Sequence, residues 1–157
     1  MKTAMLISLL LCCGLLAAAP LQVGSPLPAL TLKDQHDAPQ TIAAADTRYL
    51  VFVAERAPAA LAETALDGQT ITTLASAHVR YVADISAMPG IITTVIALPK
   101  MRKRPYPMLL GRSAAETAML PRESAKVTLI EAQGGIITTV RFIADAVTLR
   151  AALGFTP

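Results

Sequence analysis

Residues 49–66 read YLVFVAERAPAALAETAL, and the fold turns on the change of pattern inside this stretch. Its first seven residues are rich in strand formers and apolar on both faces. They predict a central strand covered on both sides, because a half-exposed strand would alternate with polar residues. Pro58 then suits a first helical turn, where its missing N–H is no loss. Leu61, Ala62, Ala65 and Leu66 follow at helical spacing until Asp67 and Gly68 end the run. A strand handing over to a helix is the first half of a crossover unit.

Working outward, Leu30 and Leu32 alternate with Thr31 and Lys33 before a polar cluster at 34–39, and the chain returns through Thr41 and Ile42, which predicts a hairpin. HVRYVADI at 78–85 predicts the next strand, and MLL at 108–110, after Pro107, predicts another. KVTLIEAQGGIITTVRFI at 126–143 predicts a hairpin turning at Gln133, Gly134 and Gly135. DAVTLRAALG at 145–154 predicts a short helix with Asp145 as N-cap and Gly154 just past its end. The hexapeptide GIITTV occurs at 90–95 and again at 135–140. The first copy lies between Pro89 and Pro99 and must connect two strands, so a crossover helix is expected there despite its β-branched content. The second copy is one arm of the glycine hairpin, since propensity yields to context. Strands alternating with helices and closing in a hairpin predict an α/β sandwich with a mixed sheet.

The ends and the totals bound the class. MKTAMLISLLLCCGLLAAAP has one lysine, an apolar run from Ala4 to Leu16 and then small residues, the layout of a secretory signal peptide, expected over residues 1–18. The run is shorter than the roughly 20 residues that span a bilayer, and Pro20, Pro26 and Pro28 stop a helix from continuing, so no permanent membrane span is expected. Residues 19–157 are then expected to form a single domain, exported to the periplasm. Cys12 and Cys13 are the only cysteines and fall inside the removed segment. Lipid anchoring through one of them is the alternative, but neither follows a small residue. A formal charge of +3, no tryptophan and few aromatics exclude a nucleic-acid binder and, on net charge, a polybasic membrane ligand.

The order of these motifs resembles the thioredoxin-like superfamily, in particular its peroxiredoxin and periplasmic thiol-disulfide branches. Gly24, Pro26, Pro28, Leu30, Leu32 and Asp34 look like the opening strand and turn, and YLVFVAE looks like the first central strand. Tyr106-Pro107 before MLL looks like the proline, usually cis, that precedes a core strand. The run from VADI at 82–85 to LLGR at 109–112 is also similar to small secreted bacterial proteins of this fold, including the YtfJ-like ones. The resemblance implies a three-layer sandwich with a mixed central sheet and an N-terminal hairpin extension. It places Arg56 where the family has tryptophan, and Ala57 and Ala60 where it has two cysteines, with Pro58 and Ala59 between them. Family chemistry needs a thiolate stabilised at a helix N-terminus, and alanine cannot ionise, attack or be oxidised. Dithiol exchange and peroxide reduction are therefore not expected. The resemblance also implies that the backbone at Tyr106 and Pro107, facing the helix that begins near Ala57, could pair with an extended peptide.

Other residues carry weaker signals. Lys100, Arg102, Lys103 and Arg104 could meet an anionic ligand or an acidic partner, or form a solvated loop whose charges complement a helix dipole. Asp84, at the end of a central strand, stands where ligands of open α/β sheets bind, although a lone carboxylate there also caps turns. Asp34, His36 and Asp37 read as turn residues rather than metal ligands, and His78 has no nucleophile-elbow partner. No metal is expected, and without a phosphate-cradling glycine loop no cofactor either. These readings predict a binding module for an envelope protein or peptide. The alternative is an enzyme that sets Asp84, with Arg56 or the basic cluster, on a small anionic substrate.

Overall fold

Of the central strand predicted over 49–55 the structure forms Tyr49–Val53, with Leu50 to Val53 all buried and Glu55 exposed, and the sheet is built around it. The computed structural model describes residues 19–155; the expected signal segment, with Cys12 and Cys13, lies outside the described residues. In chain order the elements are β1 (Leu30–Asp34), β2 (Pro39–Ile42), β3 (Tyr49–Val53), α1 (Arg56–Ala65), α2 (Ile71–Ser76) and β4 (Val79–Asp84). There follow α3 (Gly90–Ile92), a π-helical stretch (Thr93–Ala97), α4 (Leu98–Met101), β5 (Leu109–Gly111), β6 (Val127–Gln133), β7 (Ile136–Ile143) and α5 (Ala146–Ala152). Short 3-10 turns occupy Ala44–Asp46 and Ala114–Thr117. The strands form one mixed sheet ordered β2-β1-β5-β4-β3-β6-β7, in which β3, β4 and β5 run parallel and the hairpins at both sides are antiparallel.

Alternation along the central strands divides the core. Val51, Val53, Tyr81, Ala83, Leu110, Val127 and Leu129 meet Ala62, Leu66, Leu74, Leu98 and Leu149 from the helices. Leu50, Phe52, Val82, Leu109 and Ile130 face the other way. Leu32 and Ile42 of the first hairpin share that second face, which is covered by Leu27 and Leu120 of the connecting chain with Ala44 of a 3-10 turn packed against it, while the α-helices lie on the first face.

Local chemistry fixes the predicted ends. Gly134 and Gly135 both have positive φ, +58° and +80°, as a two-residue hairpin turn with matching twist requires. Asp145 Oδ1 accepts from the Thr148 amide at 2.7 Å to start α5. The two copies of GIITTV separate as expected, the first into the helix running 90–101 and the second into β7. Helix α2 was not expected. Thr70 and Thr73 exchange side-chain and backbone hydrogen bonds, the Thr73 amide donating to Thr70 Oγ1 at 3.3 Å and the Thr70 amide to Thr73 Oγ1 at 2.8 Å. All described peptide bonds are trans, Tyr106–Pro107 included, in contrast to the family pattern.

Candidate functional site

The start of α1 follows directly on β3 at the carboxyl end of the parallel strands. Arg56, Ala57 and Ala60 are exposed, Ala59 is half-buried and Pro58 is buried. Glu55 occupies the N-cap position but does not cap the helix with its side chain. Its Oε2 instead accepts from the Ala125 amide at 3.2 Å and from the Ser124 hydroxyl at 3.5 Å. The chain facing the start of α1 is therefore 124–126, the lead-in to β6, which is the antiparallel neighbour of β3. Ala125 is held there at φ +61°, a conformation an L-residue seldom adopts without such a partner.

Asp84, at the end of β4, is closed in by its own fold. Its side chain is only 4% exposed, and Oδ2 accepts from the Thr117 hydroxyl at 2.5 Å and from Arg122 Nη1 at 3.1 Å. Oδ1 accepts from the Ser86 amide at 2.9 Å. Arg122 also donates to the Thr117 carbonyl at 2.8 Å and lies 5.2 Å from the centre of the Phe52 ring. Burial alone would raise the Asp84 pKa, but the bonds from Ser86, Thr117 and Arg122 outweigh it and hold the carboxyl below its ordinary value. Asp84 is thus ionised at neutral pH with its strongest lone-pair positions filled. That makes it a poor acid and a poor base. Its cationic partner is Arg122, not Arg56 or the basic cluster.

Tyr106 and Pro107 are not beside the start of α1. Leu109 pairs with Val82, so Pro107 is level with the beginning of β4, at the end of the parallel strands remote from Asp84. The strand it precedes is separated from β3 by β4. Pro107 lines a hollow with Ile71 and Leu74 of α2. The backbone around Pro107 is already taken: Gln35 Nε2 donates to the Tyr106 carbonyl at 2.9 Å, and the Met108 amide donates to Gln35 Oε1 at 2.8 Å. Gln35 is 2% exposed and fills the place an added peptide strand would need. The Tyr106 ring is buried edge-on against Tyr81, centroids 6.4 Å apart, and burial raises the pKa of both phenols.

The basic cluster shares that end of the molecule. Lys100 lies 3.4 Å from Glu63, and Arg104 is hydrogen-bonded to the same carboxylate. Arg102 Nε donates to the Gln35 carbonyl at 2.8 Å, with Asp37 3.5 Å from its Nη2. Lys103 is exposed. The polar residues of the first hairpin behave as turn residues: Asp34 Oδ1 accepts from the amides of His36 and Ala38 at 2.8 and 3.0 Å, and Asp37 pairs with Arg112 at 2.7 Å. An open cleft of about 410 Å³ between Arg48, His78, Glu131 and Thr138, which nothing in the sequence pattern announced, lies near the beginning of β3.

The structure thus gathers Arg56, Ala57 and Ala60 near 124–126, closes Asp84 with Thr117 and Arg122, and leaves Tyr106, Pro107 and the four basic residues elsewhere. Arg122 and Thr117 escaped the sequence reading because they are 38 and 33 positions from Asp84. A nearer signal was the lone arginine in a short proline-started segment after a predicted strand.

Among solved structures, the chain is similar to a candidate protein disulfide isomerase from Bacteroides thetaiotaomicron, at TM-score 0.59 and 14% identity over 85% of this chain and 86% of the other. It is also similar to a peroxiredoxin-like protein from Aquifex aeolicus, at 0.55 and 9% over 88% and 89%. A third is the thioredoxin domain of a thiol-disulfide oxidoreductase from Bacteroides vulgatus, at 0.53 and 13% over 87% and 99%. No family model and no curated protein matches the sequence. The fold is thioredoxin-like, with a mixed seven-stranded open sheet. At these identities the likeness establishes the scaffold and nothing of the chemistry.

Proposed function

We propose that the protein is an exported thioredoxin-fold binding module without redox cysteines, akin to the YtfJ-like proteins. In this reading residues 19–157 form one domain in the periplasm, and the exposed start of α1 receives an envelope protein or peptide. The observation that carries it is the pair of exposed methyl groups, Ala57 and Ala60, one turn apart where the resembling family has its thiols. Backbone amides at the uncapped first turn and the Arg56 guanidinium favour a carbonyl- or carboxylate-bearing ligand. The closed hydrogen-bonding of Asp84, with Glu55 Oε2 taken up by Ser124 and Ala125, favours a binder over the enzyme alternative, which relies on Asp84.

The test compares the exported protein with Arg56→Glu and Ala57→Trp variants for what they retain from an envelope extract, alongside assays of disulfide and peroxide turnover. One specific protein retained by the wild type and lost from both variants, with no turnover, is expected. Turnover of any small substrate that Asp84→Asn abolishes would replace the binder by an enzyme. A reactive Cys12 or Cys13 in the exported form would restore thiol chemistry.

A further inference from the structure

Nine large apolar side chains are exposed among the described residues, and four of them, Ile91, Ile92, Val95 and Ile96, fall within six consecutive positions. Their exposures, 75, 42, 66 and 63%, are those of side chains pointing into water. Single exposed aliphatics are ordinary on a protein surface, whereas a contiguous patch marks a contact. The helix running 90–101 joins the core only near its ends, through buried Leu98 and partly buried Met88 and Met101. In a regular helix Leu98 would share a face with Ile91 and Val95. The π-helical stretch Thr93–Ala97 takes up the difference in phase, so that Leu98 turns inward while the four aliphatics face out.

The chemistry of the surroundings identifies the contact. The exposed aliphatics at 91–96 are followed by exposed Lys100 in the last turn of the helix and by exposed Lys103 just past its end. The segment thus starts apolar and ends basic. No acidic residue occurs between Asp84 and Glu116, while that interval holds five basic ones. Glu63 and Asp37 answer part of the charge of Lys100, Arg102 and Arg104, but the helix end stays positive. The polar groups within the patch are satisfied locally, since the Thr93 and Thr94 hydroxyls donate to the carbonyls of Pro89 and Gly90 at 3.2 and 2.9 Å.

We infer that this helix rests on an anionic phospholipid bilayer, with Ile91, Ile92, Val95 and Ile96 buried at the boundary of headgroups and acyl chains, and Lys100 and Lys103 reaching lipid phosphates. Aliphatic burial and basic attraction add for such a helix, and long lysine stems lie along apolar surface with their charges outward. Net charge excludes a polybasic ligand, but the local join of apolar face and basic end is a different signal. A second copy fits less well, because four side chains on one convex helix fall short of the roughly 800 Å² per partner of a stable interface. The inference stands independently of the binding proposed at α1.

The full chain, as isolated from the producing cell, is mixed with phosphatidylglycerol vesicles or phosphatidylcholine vesicles and floated on a density gradient, and its mass in solution is measured by light scattering. The protein is expected to float with phosphatidylglycerol and not with phosphatidylcholine. Val95→Asp and Ile91→Ser should each weaken flotation at least about tenfold, since exposed apolar area drives insertion. Lys100→Gln with Lys103→Gln should weaken it about tenfold and flatten its salt dependence. Wild type and variants are expressed from the same full-length sequence and their masses compared, so a difference in flotation cannot come from different processing of residues 1–18. Unfolding midpoints close to wild type confirm that the fold is intact. Absence of flotation, equal flotation on both lipids, or Val95→Asp floating as wild type would overturn the inference. So would a dimer that Val95→Asp dissociates and that does not float.

Discussion

Arg122 and Asp84 form an ion pair at 3.1 Å in which the carboxylate is buried and the guanidinium is 43% exposed. The pair ties the end of β4 to the segment that leads into β6, and Thr117 completes it. Because the folded pKa of Asp84 lies below its unfolded value of about 3.9, its contribution to stability is fully present above that value and is lost as pH falls through the folded pKa. Urea titrations from about pH 6 down to pH 2 should therefore show a steeper loss of stability for wild type than for Asp84→Asn. At neutral pH Asp84→Asn should cost about 1–3 kcal/mol. Parallel pH profiles for the two proteins would refute the assignment. Asp145, also held low by its bond from the Thr148 amide, contributes equally to both profiles and cancels in the comparison.

Gly111→Ala should act through the same pair. A Cβ at this glycine would stand 2.4 Å from Thr117 Cγ2, so Thr117 must move, and its hydroxyl is the one bonded to Asp84. A cost of about 1–3 kcal/mol is expected from the crowding. In a double-mutant cycle with Asp84→Asn the two costs should fall short of additivity by about 0.5 kcal/mol or more. Strict additivity would separate Thr117 from the ion pair.

Gln35→Ala should leave the Tyr106 carbonyl and the Met108 amide buried without partners, at about 2–4 kcal/mol for the two groups. Gln35→Glu keeps the shape but supplies no donor to the carbonyl, and should recover little. Faster hydrogen exchange at the Met108 amide is the local readout. Unchanged protection there would mean that the β1–β5 pairing holds the segment unaided.

Ala57→Cys should create a thiol more acidic than the ordinary value of about 8.5. It would sit in the first turn of α1, beside Arg56, where uncapped amides favour the thiolate. The pH dependence of its alkylation gives the value. A thiol titrating at or above the ordinary value would show that the scaffold no longer stabilises an anion at this point.

Much of the scaffold was legible because the deciding signals are local. The apolar run at 49–55, the paired glycines at 134 and 135, and Asp145 before an apolar run each settle an element within a few residues. Helix α2 was not legible, since six residues with two threonines acting as a mutual cap show no stripe. The position of Pro107 failed for another reason. The motif before β5 is local, but which strand becomes the neighbour of β3 is a property of strand order, and the chain returns from β5 to insert β6 there. Gln35 and Arg122 were invisible likewise, because the groups they satisfy are backbone atoms and a carboxylate far away in sequence.

The same six residues exist here as helix and as strand, and the helical copy is held mainly at its ends. Detached by heat or mild acid, residues 90–98 would be an uncharged, β-branched peptide free to stack with its like from other molecules, a seed for fibrils. Pro89 and Pro99 bracket that stretch as breakers of growing sheets, so replacing them should hasten fibril growth without altering the folded shape.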